Sequence, residues 1–199
     1  MDPDTPYYSQ EEHKSFLGQI GEHAVDFIQT LVVFGAIFAL IYLFIAQPHK
    51  VTGSSMFPTF YDGDYILTDK LSYRLGAPKY GDVIVLKNPK DESQDFIKRI
   101  IGLPEDTVMI LNNSVYRNGT ILDEPYLPKN IISGGRTYLP EGTSVKMDQN
   151  QYFVMGDNRE HSSDSREWGP VTKEEIIGKT FFRYFPPQRF GLFKPFPSN

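Results

Sequence analysis

Phe96-Ile97-Lys98-Arg99-Ile100-Ile101-Gly102-Leu103-Pro104-Glu105-Asp106 reads as a strand running into a turn. Aromatic and β-branched residues suit a pleated backbone, and Gly102 with Pro104 ends the run. The same pattern repeats on both sides of it. Residues 64–68 and 82–86 are short apolar runs upstream, and 108–111 and 114–117 lie downstream around Asn112-Asn113. Asn118-Gly119 is a strong hairpin turn, because both residues tolerate positive φ. Residues 151–155 lead into a polar cassette, and 180–185 close the set before Pro186-Pro187. One helical signal stands among them, at residues 172–177, with a capping-box pairing of Thr172 and Glu175. The predicted class is mainly β, an antiparallel β domain.

Ahead of this domain lies a different kind of sequence. Residues 27–46 are apolar apart from Gln29 and Thr30 at their start. As a helix they would cover about 30 Å, the thickness of a bilayer's hydrocarbon core. Because 31–46 is apolar on every face, a transmembrane helix is expected rather than a core helix of a soluble domain. Asp26 bounds one end and Gln47-Pro48-His49-Lys50 the other. A cleaved signal peptide is disfavoured: the preceding segment is acidic, and Phe44 stands where a small residue would be needed. The predicted organisation is an N-terminal tail at 1–26, a single span at 27–46 and one domain at 47–199. Lys14 is the sole Lys or Arg before the span, whereas Lys50, Lys70, Arg74 and Lys79 follow it. Taken literally, that count favours a cytoplasmic C-terminal domain.

Composition excludes several functions. The net charge of −5 leaves no nucleic-acid footprint. With no cysteine there is no thiol nucleophile, disulfide or thiolate metal site. His13, His23, His49 and His161 lack metal-ligand spacing, and no phosphate-cradling glycine loop is present. No metal and no cofactor are expected.

The residues that could carry chemistry sit in three places. In Gly53-Ser54-Ser55-Met56-Phe57-Pro58-Thr59 a serine follows closely on the span. A serine attacks a carbonyl only when a base takes its proton and donors hold the oxyanion. Lys98 is one candidate base; period-two alternation sets Phe96 and Ile100 beside it, and apolar surroundings lower a lysine's pKa. A lysine snorkelling from a strand would look the same. Arg99 points the other way and cannot serve as a base. His161 with Asp164 is the second candidate, from Met155-Gly156-Asp157-Asn158-Arg159-Glu160-His161-Ser162-Ser163-Asp164-Ser165-Arg166. In that cassette Asp164 and Arg166 could pair, and Ser162 could bond a nearby amine, although tight loops favour the same residue types.

Taken together these segments, with Tyr80-Gly81-Asp82-Val83-Ile84-Val85, Trp168-Gly169-Pro170-Val171 and Asp123-Glu124-Pro125-Tyr126, resemble the bacterial type I signal peptidases. These are membrane-anchored Ser/Lys endopeptidases that remove signal peptides from exported preproteins. The resemblance implies a β-rich fold shared with LexA-type repressors, with Ser55 as nucleophile and Lys98 as general base. It implies that Ser162 bonds the lysine amine, that Asp164 and Arg166 support it, and that the Ser55 backbone N–H serves the oxyanion. Some members carry a serine at the place of Gly53 as second oxyanion donor; Gly53 has no hydroxyl. Val51, Met56, Phe60, Ile66, Val85, Phe96 and Ile97 match positions that line shallow pockets for small residues before the cut. The partners implied are preprotein signal peptides and the lipid bilayer, with no nucleic acid, for a monomer in the membrane. The location implied is the bacterial cytoplasmic membrane, single-pass, with the catalytic domain on the extracytoplasmic side. Phe57, Phe60, Tyr61, Phe190, Phe193 and Phe196 are either an aromatic surface at the bilayer or ordinary packing. Among rivals, a Ser/His signal peptidase would need a histidine at Lys98, and a LexA-type regulator would need a DNA-binding helix pair. A non-catalytic tethered β module leaves Ser55, Lys98 and the cassette without a role.

Overall fold

The computed structural model describes residues 16–129 and 131–193. Most of the expected N-terminal tail, residues 1–15, and Phe196 lie outside the described residues. The chain divides into two compact units, Met1–Ile41 and Tyr42–Asn199.

The first unit is helical. Helix α1 (Phe16–Phe44) begins well before Asp26 and stops two residues short of the predicted end. Within it His23–Phe44, 22 residues, is long and apolar enough to cross a membrane. Every side chain from 23 to 44 is exposed, as a helix solvated by lipid requires.

The second unit is built from antiparallel strands. In chain order these are β1 (Ala46–Lys50), β2 (Tyr65–Asp69), the short helix α2 (Leu71–Leu75), β3 (Val83–Asn88) and β4 (Asp91–Gly102). Next come β5 (Thr107–Leu111), β6 (Ser114–Arg117), β7 (Thr120–Ile121), β8 (Ser144–Lys146) and β9 (Gln151–Met155). Helix α3 (Ser165–Trp168), β10 (Val171–Thr172), β11 (Ile176–Phe185) and β12 (Gly191–Leu192) complete the series. The larger sheet runs β1-β2-β11-β3-β4-β9-β10, with β12 added beside β11, and the smaller runs β7-β6-β5-β8.

Every expected strand is present, but β4 and β11 start at Asp91 and Ile176, before the expected Phe96 and Thr180, and the strands β1, β7, β8, β10 and β12 were not expected. Pro48, expected to stop the helix, sits inside β1. That strand is at the edge of the sheet, where a missing N–H costs no ladder bond. The expected helical turn at 172–177 is a single 3₁₀ turn at Lys173–Glu175, capped by Thr172 and Glu175 as predicted. Ile176 already belongs to β11, pairing with Leu86 of β3; a buried sheet partner outweighs a short local helix signal. Both hairpin turns form where expected, with Asn112 and Asn113 at φ 51° and 61°, and Asn118 and Gly119 at 53° and 79°.

The centre of the larger sheet, β3, the second half of β4 and β9, is buried on both faces. Ile84, Leu86, Ile100 and Val154 pack on one side. Ile101, Phe153 and Met155 meet Val108, Ile110 and Val115 of the smaller sheet. A third cluster joins Val51, Met56, Phe60, Ile66, Val83 and Val85. Strand β4 therefore runs through the densest part of the molecule, and any polar residue in its second half is buried.

Candidate active site

Lys98 and Arg99 are those residues, and Lys98 faces Ser55. Lys98 is 2% exposed, and its Nζ lies 3.0 Å from Ser55 Oγ and 2.9 Å from the Ile97 carbonyl oxygen. The Phe96 ring is 4.8 Å away. Burial lowers its pKa from 10.5 to about 8, against the opposing pull of the Asp164 and Asp157 charges. A fixed, partly neutral amine against a hydroxyl can act as a general base.

Ser55 is held from two directions. Val51 N–H bonds the Asp64 carbonyl at 2.8 Å, tying the start of its loop to β2. The far side is gripped by Asn158, whose backbone N–H donates to Ser55 O at 3.0 Å and whose Nδ2 donates to Ser54 O at 3.1 Å. The Ser55 backbone N–H makes no hydrogen bond among the described residues. Gly53 has φ +88° and its N–H is taken by Asp62 Oδ1 at 2.8 Å. A serine there would be strained, and the Gly53 amide is turned away from Ser55.

The polar cassette is a nest of buried ion pairs. Asp164 accepts from Arg166 Nε and Nη2, both at 2.8 Å, and from Gly156 N–H at 3.1 Å. Burial pushes the Asp164 carboxyl up, but the Arg166 guanidinium and the Gly156 amide hold it below its usual value. The remaining Arg166 donors reach the carbonyls of Arg159 and Gly134. Ser162 is 1% exposed and closes no hydrogen bond of ordinary length, its hydroxyl acting on Asp164 from further off. The expected bond between Ser162 and the Lys98 amine is therefore not made in this arrangement. Gly156 explains how Ser162 and Ser55 come so close: a Cβ there would stand 2.2 Å from Ser162 Oγ and 2.4 Å from Ser55 O.

Two further pairs escaped sequence reasoning. Arg99 grips Asp157 with Nε at 2.8 Å and Nη2 at 2.6 Å, and Thr59 donates to the same carboxylate. Arg159 is paired with Glu124 and also reaches Ser133 Oγ at 2.5 Å. Asp157 and Arg159 stand in the cassette itself, but their partners are 58 and 35 positions away, so no local pattern joins them.

Ser55 and Lys98 open onto a cleft of about 350 Å³. Val51, Ile66, Val85, Phe96 and Ile97 line it. Met56 and Phe60 do not. They are fully buried in the cluster beneath, where Phe193 and the Arg183 guanidinium cover Phe60. Phe60 is thus a core residue with Phe193 partly buried against it, while Phe57, Tyr61 and Phe190 are exposed. His161 is exposed on the cleft rim and bonds only through its backbone N–H to Asn158 O. Since Asp164 is committed to Arg166, no Ser-His-Asp set is assembled. Among the described residues no cluster of side chains could hold a metal.

The model of the family described as signal peptidase, peptidase S26, matches residues 24–185. The chain belongs to this family. As one of its members it is a serine endopeptidase of the signal peptidase I type, acting on the signal peptides of preproteins. This signal peptidase is 39% identical over 171 residues to a probable signal peptidase I-1 of Synechocystis sp., covering 82% of this chain and 84% of the relative. It is 33% identical over 177 residues to signal peptidase IB of Staphylococcus aureus, covering 83% and 92%. A solved signal peptidase I from Enterococcus faecalis V583 matches 52% of this chain and 97% of its own, at 30% identity and a TM-score of 0.44.

Proposed function

We propose that this signal peptidase is anchored by α1 and cleaves preproteins with a Ser55/Lys98 dyad. The observation that carries the reading is the 3.0 Å contact between Lys98 Nζ and Ser55 Oγ, made by an amine that burial brings to a pKa of about 8. Neutral Lys98 takes the Ser55 proton as Oγ attacks the scissile carbonyl. The tetrahedral adduct collapses with cleavage of the C–N bond, and the Lys98 ammonium protonates the departing amine. Lys98 then takes a proton from water, whose oxygen attacks the acyl-enzyme and restores the Ser55 hydroxyl.

The free Ser55 backbone N–H is available to the oxyanion. Gly53 contributes no second donor while its amide is bonded to Asp62. Asp164 and Arg166 brace Gly156 and the Ser162 segment against which the dyad packs, and Asn158 fixes the Ser55 turn. Val51, Ile66, Val85, Phe96 and Ile97 form the shallow apolar wall that admits small residues before the cut. The domain organisation is an N-terminal tail, one span and an extracytoplasmic domain on the bacterial cytoplasmic membrane, working as a monomer.

Incubating the full chain with a preprotein and locating the cut by mass spectrometry tests this. Cleavage after a small residue is expected from the parent protein, and none from Ser55→Ala or Lys98→Ala. Undiminished cleavage by Lys98→Ala would overturn the dyad.

A further inference from the structure

Two of the basic residues that follow the span, Lys70 and Arg74, lie away from the cleft of Ser55 and Lys98. Lys70 precedes helix α2 and Arg74 lies within it, and the position of this helix is constrained. The Lys70 N–H donates to the Ile45 carbonyl at 2.9 Å, and the Arg74 guanidinium lies 5.1 Å from the Phe44 ring centre. Ile45 is where the chain leaves the apolar helix. A five-residue helix is only about 7.5 Å long, so all of α2 stays within about a turn or two of that exit point, however the domain tilts.

The faces of α2 are sorted. Tyr73 is buried, and its hydroxyl donates to Asp82 at 2.8 Å, which pins the helix to the domain. Leu71, Arg74 and Leu75, at i, i+3 and i+4, share the opposite face. Leu75 is 82% exposed and Leu71 40%. Beside them Lys70, Arg74 and Lys173 border a depression of about 510 Å³. Lys173 also bonds the Gly76 carbonyl at 3.0 Å, closing the end of α2 against the strand side. The acidic groups nearby are occupied: Asp69 caps α2 through the N–H groups of Leu71 and Ser72, and Glu174 accepts from Asn150 at 2.7 Å. Exposed leucines flanked by cations at a membrane exit have the composition of an interfacial element.

We propose that α2 is a second membrane contact, in which Leu71 and Leu75 enter the acyl boundary while Lys70, Arg74 and Lys173 hold the phosphate of an anionic phospholipid. This rests on the reading of α1 as a bilayer span. It also accounts for two of the cations after the span, Lys70 and Arg74, since charge used to bind headgroups does not report which side is cytoplasmic.

Because the chain has no cysteine, a single spin label can be placed at Leu75→Cys, Phe34→Cys or Ile121→Cys in the full protein. In nanodiscs containing phosphatidylglycerol, the label at 75 should be relaxed by oxygen more than by a water-soluble nickel reagent, as at 34 and unlike 121. Replacing Lys70, Arg74 and Lys173 together by glutamine, or using phosphatidylcholine alone, should return the label at 75 to water. Water access at 75 in the parent protein, with 34 still in lipid, overturns the proposal and leaves the anchor standing. Water access at both removes the anchor and the proposal together. A label buried equally without the cations, or broadened by a second label, assigns the face to apolar insertion alone or to a second copy, and either overturns it.

Discussion

At Lys98 a charged side chain is buried where its charge is costly, and the amine responds by giving up its proton more readily. With a pKa near 8, about a tenth of the molecules hold the neutral amine at pH 7. The sign is that of a base: ammonium cannot accept the Ser55 proton, so kcat/KM should rise with pH through about 8 and level off above it. The pH–rate profile, with NMR titration of selectively labelled lysine, checks this; a Lys98 amine titrating like free lysine in an enzyme fully active at neutral pH would end the assignment. Lys98→Arg keeps the charge but cannot lose its proton, so it should lower kcat by at least ~100-fold. His161→Ala should retain most activity, because the ring bonds neither Ser55 nor Asp164. These residue roles were legible only in part. The alternation around Lys98 pointed to apolar neighbours, but the residues alone left lysine and histidine both open, because the pairing of Asp164 with Arg166 that keeps Asp164 from His161 exists only in the fold.

Among the elements, the cassette between β9 and α3 sets the site's precision. Gly156→Ala would drive a Cβ into Ser162 and Ser55 O, and since both contacts are inside 2.5 Å the loop must shift. Such overpacking costs about 1–3 kcal/mol, and because the atoms displaced include Ser55's own carbonyl, kcat should fall more than stability. Circular dichroism melts beside cleavage kinetics separate the two. Asp164→Ala is the opposite case: it strands Arg166, buried and unpaired, and should destabilise the fold by about 3–5 kcal/mol. Since the Asp164 carboxyl sits below its ordinary value of 3.8, the pair's contribution is complete above that value and is lost progressively as pH falls from it through the lowered one. Chemical denaturation at pH 7 and pH 3 measures both. The strands were readable because turn residues punctuate them, and Ser114–Arg117 and Gln151–Met155 were bounded correctly. What was hidden depends on distant partners. Strand β1 crosses a proline because only an edge tolerates it, and Arg99–Asp157 and Arg159–Glu124 join segments that the sequence keeps far apart.

For the whole molecule the open physical question is which side of the bilayer the domain occupies. Counting Lys and Arg around the span puts the domain in the cytoplasm, whereas cleaving signal peptides after translocation requires the opposite side. The two conflict only if the basic residues act through the charge rule. That rule counts cations near the span, and Lys70 and Arg74 are held against the chain's exit from the helix, where headgroups offer them a different partner. A domain of some 150 residues can also be translocated largely regardless of its charge. The expected outcome is that protease added to sealed right-side-out vesicles digests the Ser55-bearing domain and leaves a protected fragment that includes α1. Full protection of the domain, in vesicles whose cytoplasmic marker is equally protected, would reverse the assigned side. Neutralising Lys70, Arg74 and Lys173 separates the two explanations of the charge count. If those cations serve the lipid surface, their loss should loosen α2 while leaving the digestion pattern unchanged. If they help set topology, their loss should alter the fraction of molecules that protease can reach.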